Sequence, residues 1–209
     1  MIKKIKATNV LQRITASQSS RILLLQGGSR SSKTFSICQY FILKALNGEK
    51  FSLTIGRKVL SDTKTTILST FGKVLESFDV KCTPDINPRR PEQIYMVNGC
   101  EFAFFGIEDS GKLHGREQDY FWINEGMEVD RKSFDQLEMR TRVQGVIDFN
   151  PWDEDHWIFD LEKRDDVTKI ISTVLDNPFA EKSIVKKIRS YEPTEKNIEQ
   201  GTADEYMWQ

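Results

Sequence analysis

The segment that most restricts what this chain can become is Gly27-Gly28-Ser29-Arg30-Ser31-Ser32-Lys33-Thr34, because of what stands on either side of it. Upstream, Ile22 to Leu25 is a short apolar run stopped by Gly27 and Gly28, which reads as a strand buried on both faces. Downstream, Phe35, Ile37, Cys38, Phe41, Ile42, Ala45 and Leu46 recur at near-helical spacing until Gly48. A small-residue loop between a buried strand and a helix is the setting of a phosphate-binding P-loop. Backbone N–H groups of such a loop wrap the phosphates, and the helix N-terminus adds positive potential. Lys33 reaches the outer phosphates, and the Thr34 hydroxyl is placed to ligate magnesium. Gly27, Gly28, Ser29, Arg30, Ser31 and Ser32 complete the nucleotide-binding set. Ser32 stands where the usual pattern GxxxxGK(S/T) has glycine, so it must adopt glycine's backbone conformation with a side chain present. The bland alternative is a plain helix N-terminus.

The remaining chain supplies a sheet for that loop. Phe51 to Ile55 is a second strand, and Ser61 caps a helix carrying Ile67, Leu68, Phe71, Leu75 and Phe78. Strand, helix, strand, helix implies parallel strands with crossover helices. Gln93 to Val97 and Glu101 to Phe105 flank Asn98-Gly99, the strongest short hairpin signal, so an antiparallel hairpin interrupts the parallel order. Asp119 to Ile123 is another apolar strand, Ser133 to Arg140 a helix, and Gly145 to Phe149 a strand closed by Asn150-Pro151. A helix from Glu154 to Lys163 and a strand from Thr168 to Val174 come next, and Asp176-Asn177-Pro178 turns the chain into two polar helical stretches. The division expected is a P-loop core over 1–180 and a C-terminal helical segment over 181–209.

Hydrolysis requires a carboxylate beside the loop. Tyr120-Phe121-Trp122-Ile123-Asn124-Glu125 is an apolar strand ending in one, and Glu125 at its carboxyl end is the candidate base that polarises water for in-line attack. Asn124 occupies the place of the usual aspartate and is a weak, uncharged neighbour for a metal-bound water. A surface Asn-Glu after a buried strand is the alternative. Asn150 is delivered to the same sheet edge, where it either reads the γ-phosphate state or simply makes an Asn-Pro turn. Arg57, just beyond the second strand, is either an arginine finger aimed into a neighbouring subunit or a plain surface charge or structural ion pair. The fold class this describes is α/β, a P-loop NTPase of the additional-strand catalytic-glutamate, RecA-like type. Its central sheet is mainly parallel and flanked by helices, with the hairpin as an insertion.

Composition narrows the rest. With 38% hydrophobic and 29% charged residues the chain is a globular protein, not a disordered one. The longest apolar run falls short of the ~20 residues that span a bilayer, and no apolar stretch with a cleavage site follows Met1 to Lys6. Cys38, Cys82, Cys100, His114 and His156 show no ligand or disulfide spacing. The formal charge of -1 excludes a uniformly basic nucleic-acid binder, yet every charge from Lys3 to Lys44 is positive. Lys182, Lys186, Lys187 and Arg189 form a second basic group, read either as a DNA contact or as a solvated helix face.

These motifs together resemble the ATPase half of a tailed-phage or prophage terminase large subunit. The resemblance runs through Ile55-Gly56-Arg57-Lys58, Phe105-Gly106-Ile107-Glu108 before Lys112-Leu113, Trp122 to Glu125, Arg140-Thr141-Arg142, Phe149 to Trp157, and Leu175 to Phe179. It implies Lys33 and Thr34 on nucleotide and metal, Glu125 as catalytic carboxylate, Arg30 as a charge at the γ-phosphate, and Asn150 in a coupling segment. ATP and Mg2+ are the implied substrate and cofactor. Double-stranded DNA, a portal protein, a small terminase subunit and further copies in a ring on the portal are the implied partners, with no membrane. The implied location is the host bacterial cytoplasm. The nuclease domain that usually follows in this family is not expected within these residues. The other class of function left open is a P-loop switch or assembly protein without turnover.

Overall fold

The computed structural model describes residues 7–84, 93–108, 117–204 and 208. Lys3, Lys4 and Lys6 of the basic stretch, Lys112-Leu113 and His114 lie outside the described residues.

Among the described residues, eight strands form one sheet in the order β3-β4-β5-β2-β6-β7-β1-β8. They are β1 (Ile22–Gly27), β2 (Ser52–Arg57), β3 (Thr83–Pro84), β4 (Gln93–Val97), β5 (Cys100–Gly106), β6 (Gln118–Asn124), β7 (Thr141–Phe149) and β8 (Val167–Ser172). The six strands from β5 to β8 in this order are parallel, and β3 and β4 join antiparallel at one edge. Strand β7 lies between β1 and β6, which is the additional strand expected of this fold class. Because β6 and β7 separate β1 from β2, the chain leaves β1 in one direction and returns in the other. The resulting crevice opens at the carboxyl ends of the strands.

Strand alternation sorts the core into two layers. Leu23, Leu25, Ile55, Phe104, Trp122 and Val146 face one side, where α1 (Asn9–Ala16), α2 (Lys33–Leu46) and α4 (Ser69–Phe78) pack. Ile22, Leu24, Phe105, Phe121, Ile123 and Ile147 face the other, against α5 (Arg131–Met139) and α6 (Ile158–Leu161). Ile22 to Leu25 are all fully buried, so β1 is the doubly covered strand its apolar run implies.

Several elements differ from the sequence expectation. Residues 9–16, part of the stretch whose charges are all positive, form an unexpected helix, α1, with Thr8 capping it through a 3.0 Å bond from the Leu11 N–H and with Val10, Leu11 and Ile14 buried. The helix expected from Ser61 is α3 (Leu60–Thr63), one π-helical turn (Lys64–Leu68) and α4 in succession. The helix expected over 154–163 shrinks to the single turn α6. There the Asp155 N–H bonds the Asp153 carboxylate, and the Ile158 N–H is 3.4 Å from the His156 imidazole, so side chains take the place of helical carbonyls. Strand β8 stops at Ser172, where Thr173 and Asp176 form a capping box for a 3₁₀ turn. The two polar helices are α7 (Lys182–Arg189) and α8 (Glu195–Glu199).

Among the described residues of the basic stretch, Arg13, Arg21 and Lys44 are engaged within the fold. Arg13 donates to the Ile171 carbonyl, Arg21 to the Glu138 and Thr141 carbonyls, and Lys44 pairs with Glu49 at 2.9 Å. On α7, by contrast, Lys182, Lys186, Lys187 and Arg189 are not buried and carry no ion pair among the described residues.

Candidate active site

The sheet brings the residues named from sequence to one edge. The loop after β1, Glu125 after β6 and Asn150 after β7 border a cleft of about 740 Å3 that Thr34, Asp148, Asn177 and Phe179 also line. The loop is packed closely at its start: a Cβ on Gly27 would stand 1.9 Å from the Ser172 carbonyl oxygen of β8, so no other residue fits there without moving the strand.

Backbone strain concentrates here. Ser32 does adopt the left-handed conformation that glycine takes in the usual pattern, with φ 70°, and Arg30 has φ 66°. Glu125, with φ 55° and ψ 58°, is left-handed as well, immediately before a 3₁₀ turn (Gly126–Glu128). For a residue with a Cβ each such turn costs roughly 1–2 kcal/mol, which persists only where neighbours impose it. Ser32 is held by α2, whose Ser36 directs its N–H and its hydroxyl to the Ser32 carbonyl at 2.9 and 2.8 Å. Arg30 is held by Asn177, whose amide donates to the Arg30 carbonyl at 2.9 Å. The Arg30 side chain itself is exposed at the cleft rim.

Lys33 is folded back into the loop it belongs to. Its ammonium donates to the Gly27 and Gly28 carbonyls and, at 2.9 Å, to Asn150 Oδ1. Burial pulls its pKa below the ordinary lysine value, against the opposing pull of Asp148 and then Glu125. Glu125 is displaced the other way: burial raises its carboxyl pKa, and nearby Asp148 adds to the rise while Lys33 and Arg57 resist it. A base so raised is better matched to proton transfer near neutral pH than an ordinary glutamate.

Asp148 is the residue that sequence reading passed over. It is fully buried inside β7, directly opposite Asn124 in the β6–β7 register. Its carboxylate accepts the Trp122 indole N–H at 2.6 Å and the Asn124 amide at 2.9 and 3.1 Å. Burial raises its pKa, opposed first by Lys33 and then by the Trp122 and Asn124 hydrogen bonds. A carboxylate inside the apolar run Val146 to Phe149 was the available signal, since an acid placed there needs a partner. Asn124, expected to face a metal-bound water, is buried behind the cleft with its amide turned to Asp148.

Arg57 is placed by its own chain. Its guanidinium grips Glu128 in a two-point pair, Nε at 3.0 Å and Nη2 at 2.7 Å, and it does not line the cleft. That hydrogen bonding raises its pKa further. The geometry is that of the structural ion pair, not of a side chain extended toward another subunit.

Comparison with known proteins agrees with this architecture. The sequence matches the family model for phage terminase large subunit over residues 19–200. No curated protein sequence matches it. The fold is similar to that of the large terminase of a thermophilic bacteriophage, with a TM-score of 0.73 and 12% identity over 92% of this chain and 52% of that one. The chain thus spans about half the length of that relative. It is also similar to the large terminase ATPase domain of Thermus phage P74-26, with a TM-score of 0.64 and 12% identity over 96% and 95% of the two chains. A chain of the bacteriophage phi29 genome packaging motor assembly aligns with a TM-score of 0.60 and 13% identity over 94% of this chain and 67% of that one. A loop that holds its lysine beside two left-handed residues, a strand-end glutamate and a strand inserted between them are thus carried by a sequence that matches one family from end to end of its core; the chain belongs to the phage terminase large subunits.

Proposed function

We propose that this chain is the ATP-hydrolysing motor domain of a phage DNA-packaging machine, coupling hydrolysis to translocation of double-stranded DNA into a procapsid. The observation that carries the reading is the meeting of Lys33, Glu125 and Asn150 around one cleft from three adjacent parallel strands. The likeness to the large terminase of the thermophilic bacteriophage, solved in complex with ADP and with ATP-gamma-S, supports a nucleotide as the occupant.

When ATP enters, the Lys33 ammonium leaves the Gly27 and Gly28 carbonyls for the outer phosphates, which offer it full negative charge in place of carbonyl dipoles. Loop N–H groups and the start of α2 hold the phosphates from below. Glu125 takes the proton of the attacking water from its place on the cleft wall. Asn150, released by Lys33, is free to bond the γ-phosphate or its water and loses that partner after cleavage. Magnesium, when bound, neutralises charge on the phosphate oxygens. The Thr34 hydroxyl at the cleft wall suits it: magnesium keeps several waters and shares the substrate's oxygens, so it needs few ligands from the protein.

The wider assignment is double-stranded DNA as the translocated substrate, a portal protein and small terminase subunit as partners, a ring of copies on the portal, and the host bacterial cytoplasm as the site of action. The likeness to a chain of the phi29 motor assembly supports the packaging setting. Contact with DNA should be to phosphates, because a motor accepts every sequence that passes. The unburied cations of α7 are its best-placed candidates. The test is phosphate release by the parent protein docked on its portal, with and without duplex DNA, across a salt series. Stimulation that fades with salt is expected. A hydrolysing assembly indifferent to both would overturn DNA translocation as the use to which the hydrolysis is put.

A further inference from the structure

We infer that Asp148, on the strand beside the one that carries Glu125, supplies the carboxylate facing the cation of this site, with Asn124 serving to hold it. The inference rests on the nucleotide reading above and deepens it.

Residue 124 is a neutral asparagine. The strand end that would ordinarily bring an aspartate to the metal brings an amide, and that amide is turned away from the cleft onto Asp148. The β6–β7 register sets Asn124 directly opposite Asp148, and Trp122 directly opposite Val146. Alternation then places Trp122, Asn124 and Asp148 on one face, the face of α2 and Lys33. The carboxylate is therefore fixed from two sides, by an indole and an amide, on a residue that lines the cleft.

Structure alone does not require the charge. An asparagine at 148 would keep the Trp122 bond through its amide oxygen and, with the Asn124 amide turned over, donate its nitrogen to Asn124 Oδ1, without the cost of burying an ion. Yet Asp148 has no ion pair among the described residues; Lys33 is close enough to influence it but bonds the loop carbonyls, Ser31 and Asn150. A buried carboxylate at the lining of a nucleotide cleft, not ion-paired to a described side chain, calls for a cation that arrives with the substrate. Its place behind the surface suits a bond to a water of the hydrated ion, the arrangement magnesium prefers.

Calorimetric titration of ATP into the chain, once in EDTA and once in excess magnesium, tests this. Wild type should bind ATP more tightly with magnesium. Asp148→Asn should lose roughly 10- to 100-fold of that enhancement, while its affinity in EDTA stays the same or rises because a negative charge beside the triphosphate has gone. In the exchange variant Asn124→Asp/Asp148→Asn the carboxylate returns on the opposing strand with the amide now opposite it, and most of the enhancement should return. The inference is overturned if Asp148→Asn keeps the full enhancement. It is equally overturned if both affinities fall together, the mark of a distorted site, or if a folded exchange variant shows no enhancement; should Asp148→Asn not fold, the exchange variant decides alone. Failure of wild type to bind ATP under either condition would sink the nucleotide reading instead.

Discussion

The two ends of the parallel strands are built on opposite rules. At the amino end, charge is matched and the backbone relaxed: Arg164 grips Glu138 through two bonds of 2.7 and 3.0 Å and also pairs with Asp166. Gln118 donates to Thr141 and Leu137, and Gln144 closes the turn before β1 by donating to the carbonyls of Ser17, Gln18 and Ser20. At the carboxyl end, three residues with side chains sit left-handed, a lysine is buried on carbonyls, and two carboxylates are raised in pKa beside it. Among the described residues, the other two left-handed ones with side chains, Asp79 and Asn98, merely end a helix and turn a hairpin. Both ends have the same strands and core between them, so the contrast teaches that the strain is local and serves the cleft.

The sharpest break is Glu125→Gln. It should bind ATP yet lower steady-state phosphate release by roughly 10²-fold or more; a rate equal to wild type removes Glu125 from the mechanism. Next is Lys33→Ala, which deletes charged hydrogen bonds worth about 1.5–3 kcal/mol and should weaken ATP binding by roughly 10- to 100-fold. Calorimetry reads it, and unchanged affinity rejects the phosphate loop. Glu138→Gln probes the other end, where losing the two-point pair should cost about 1–2 kcal/mol in denaturant unfolding while ATP affinity stays put. A change in affinity there would mean the two ends are coupled. Smaller still, Ser32→Gly relieves a left-handed side chain, and the nucleotide-free domain should gain about 0.5–1 kcal/mol. A loss would show that the Ser32 side chain is wanted for more than its backbone.

The ends should also answer pH with opposite signs. Glu125 and Asp148 have raised pKa values in the fold, so the folded state binds more protons than the unfolded one. Their contribution is present below the ordinary carboxylate range and is lost as pH rises through the raised values. Asp166 is lowered by its hydrogen bonds to Arg164, so its contribution is present above that range and lost as pH falls. Thermal midpoints of the nucleotide-free domain across this window should therefore rise in Glu125→Gln relative to wild type toward neutral pH and converge with it in acid. Parallel curves would show that Glu125 ionises normally.

What was legible in the sequence was local or periodic. Asn98-Gly99 predicted the β4–β5 hairpin, and both residues indeed have positive φ. The loop between β1 and α2 was found because its flanks declare a buried strand and a helix within a few residues. Helix α1 was missed because three buried positions within eight residues give little periodicity against Gln12 and Arg13. Asp148 and the Arg57–Glu128 pair were not legible for a different reason. Each is defined by a partner 24 or 71 residues away, brought close only by strand register and crossover.

The bond from Trp122 to Asp148 gives the site its own spectroscopic reporter. The indole is 1% exposed in the core, whereas Trp152 is 55% exposed. Emission from Trp122 should therefore lie to the blue of light from tryptophans in water. Indole emission also shifts with the electric field along the ring, and here the N–H end is tied to a carboxylate that lines the cleft. A cation or phosphate arriving at that carboxylate changes this field without moving the ring. Occupancy of the cleft should then register as a wavelength shift in unlabelled protein, and Trp122→Phe should silence it.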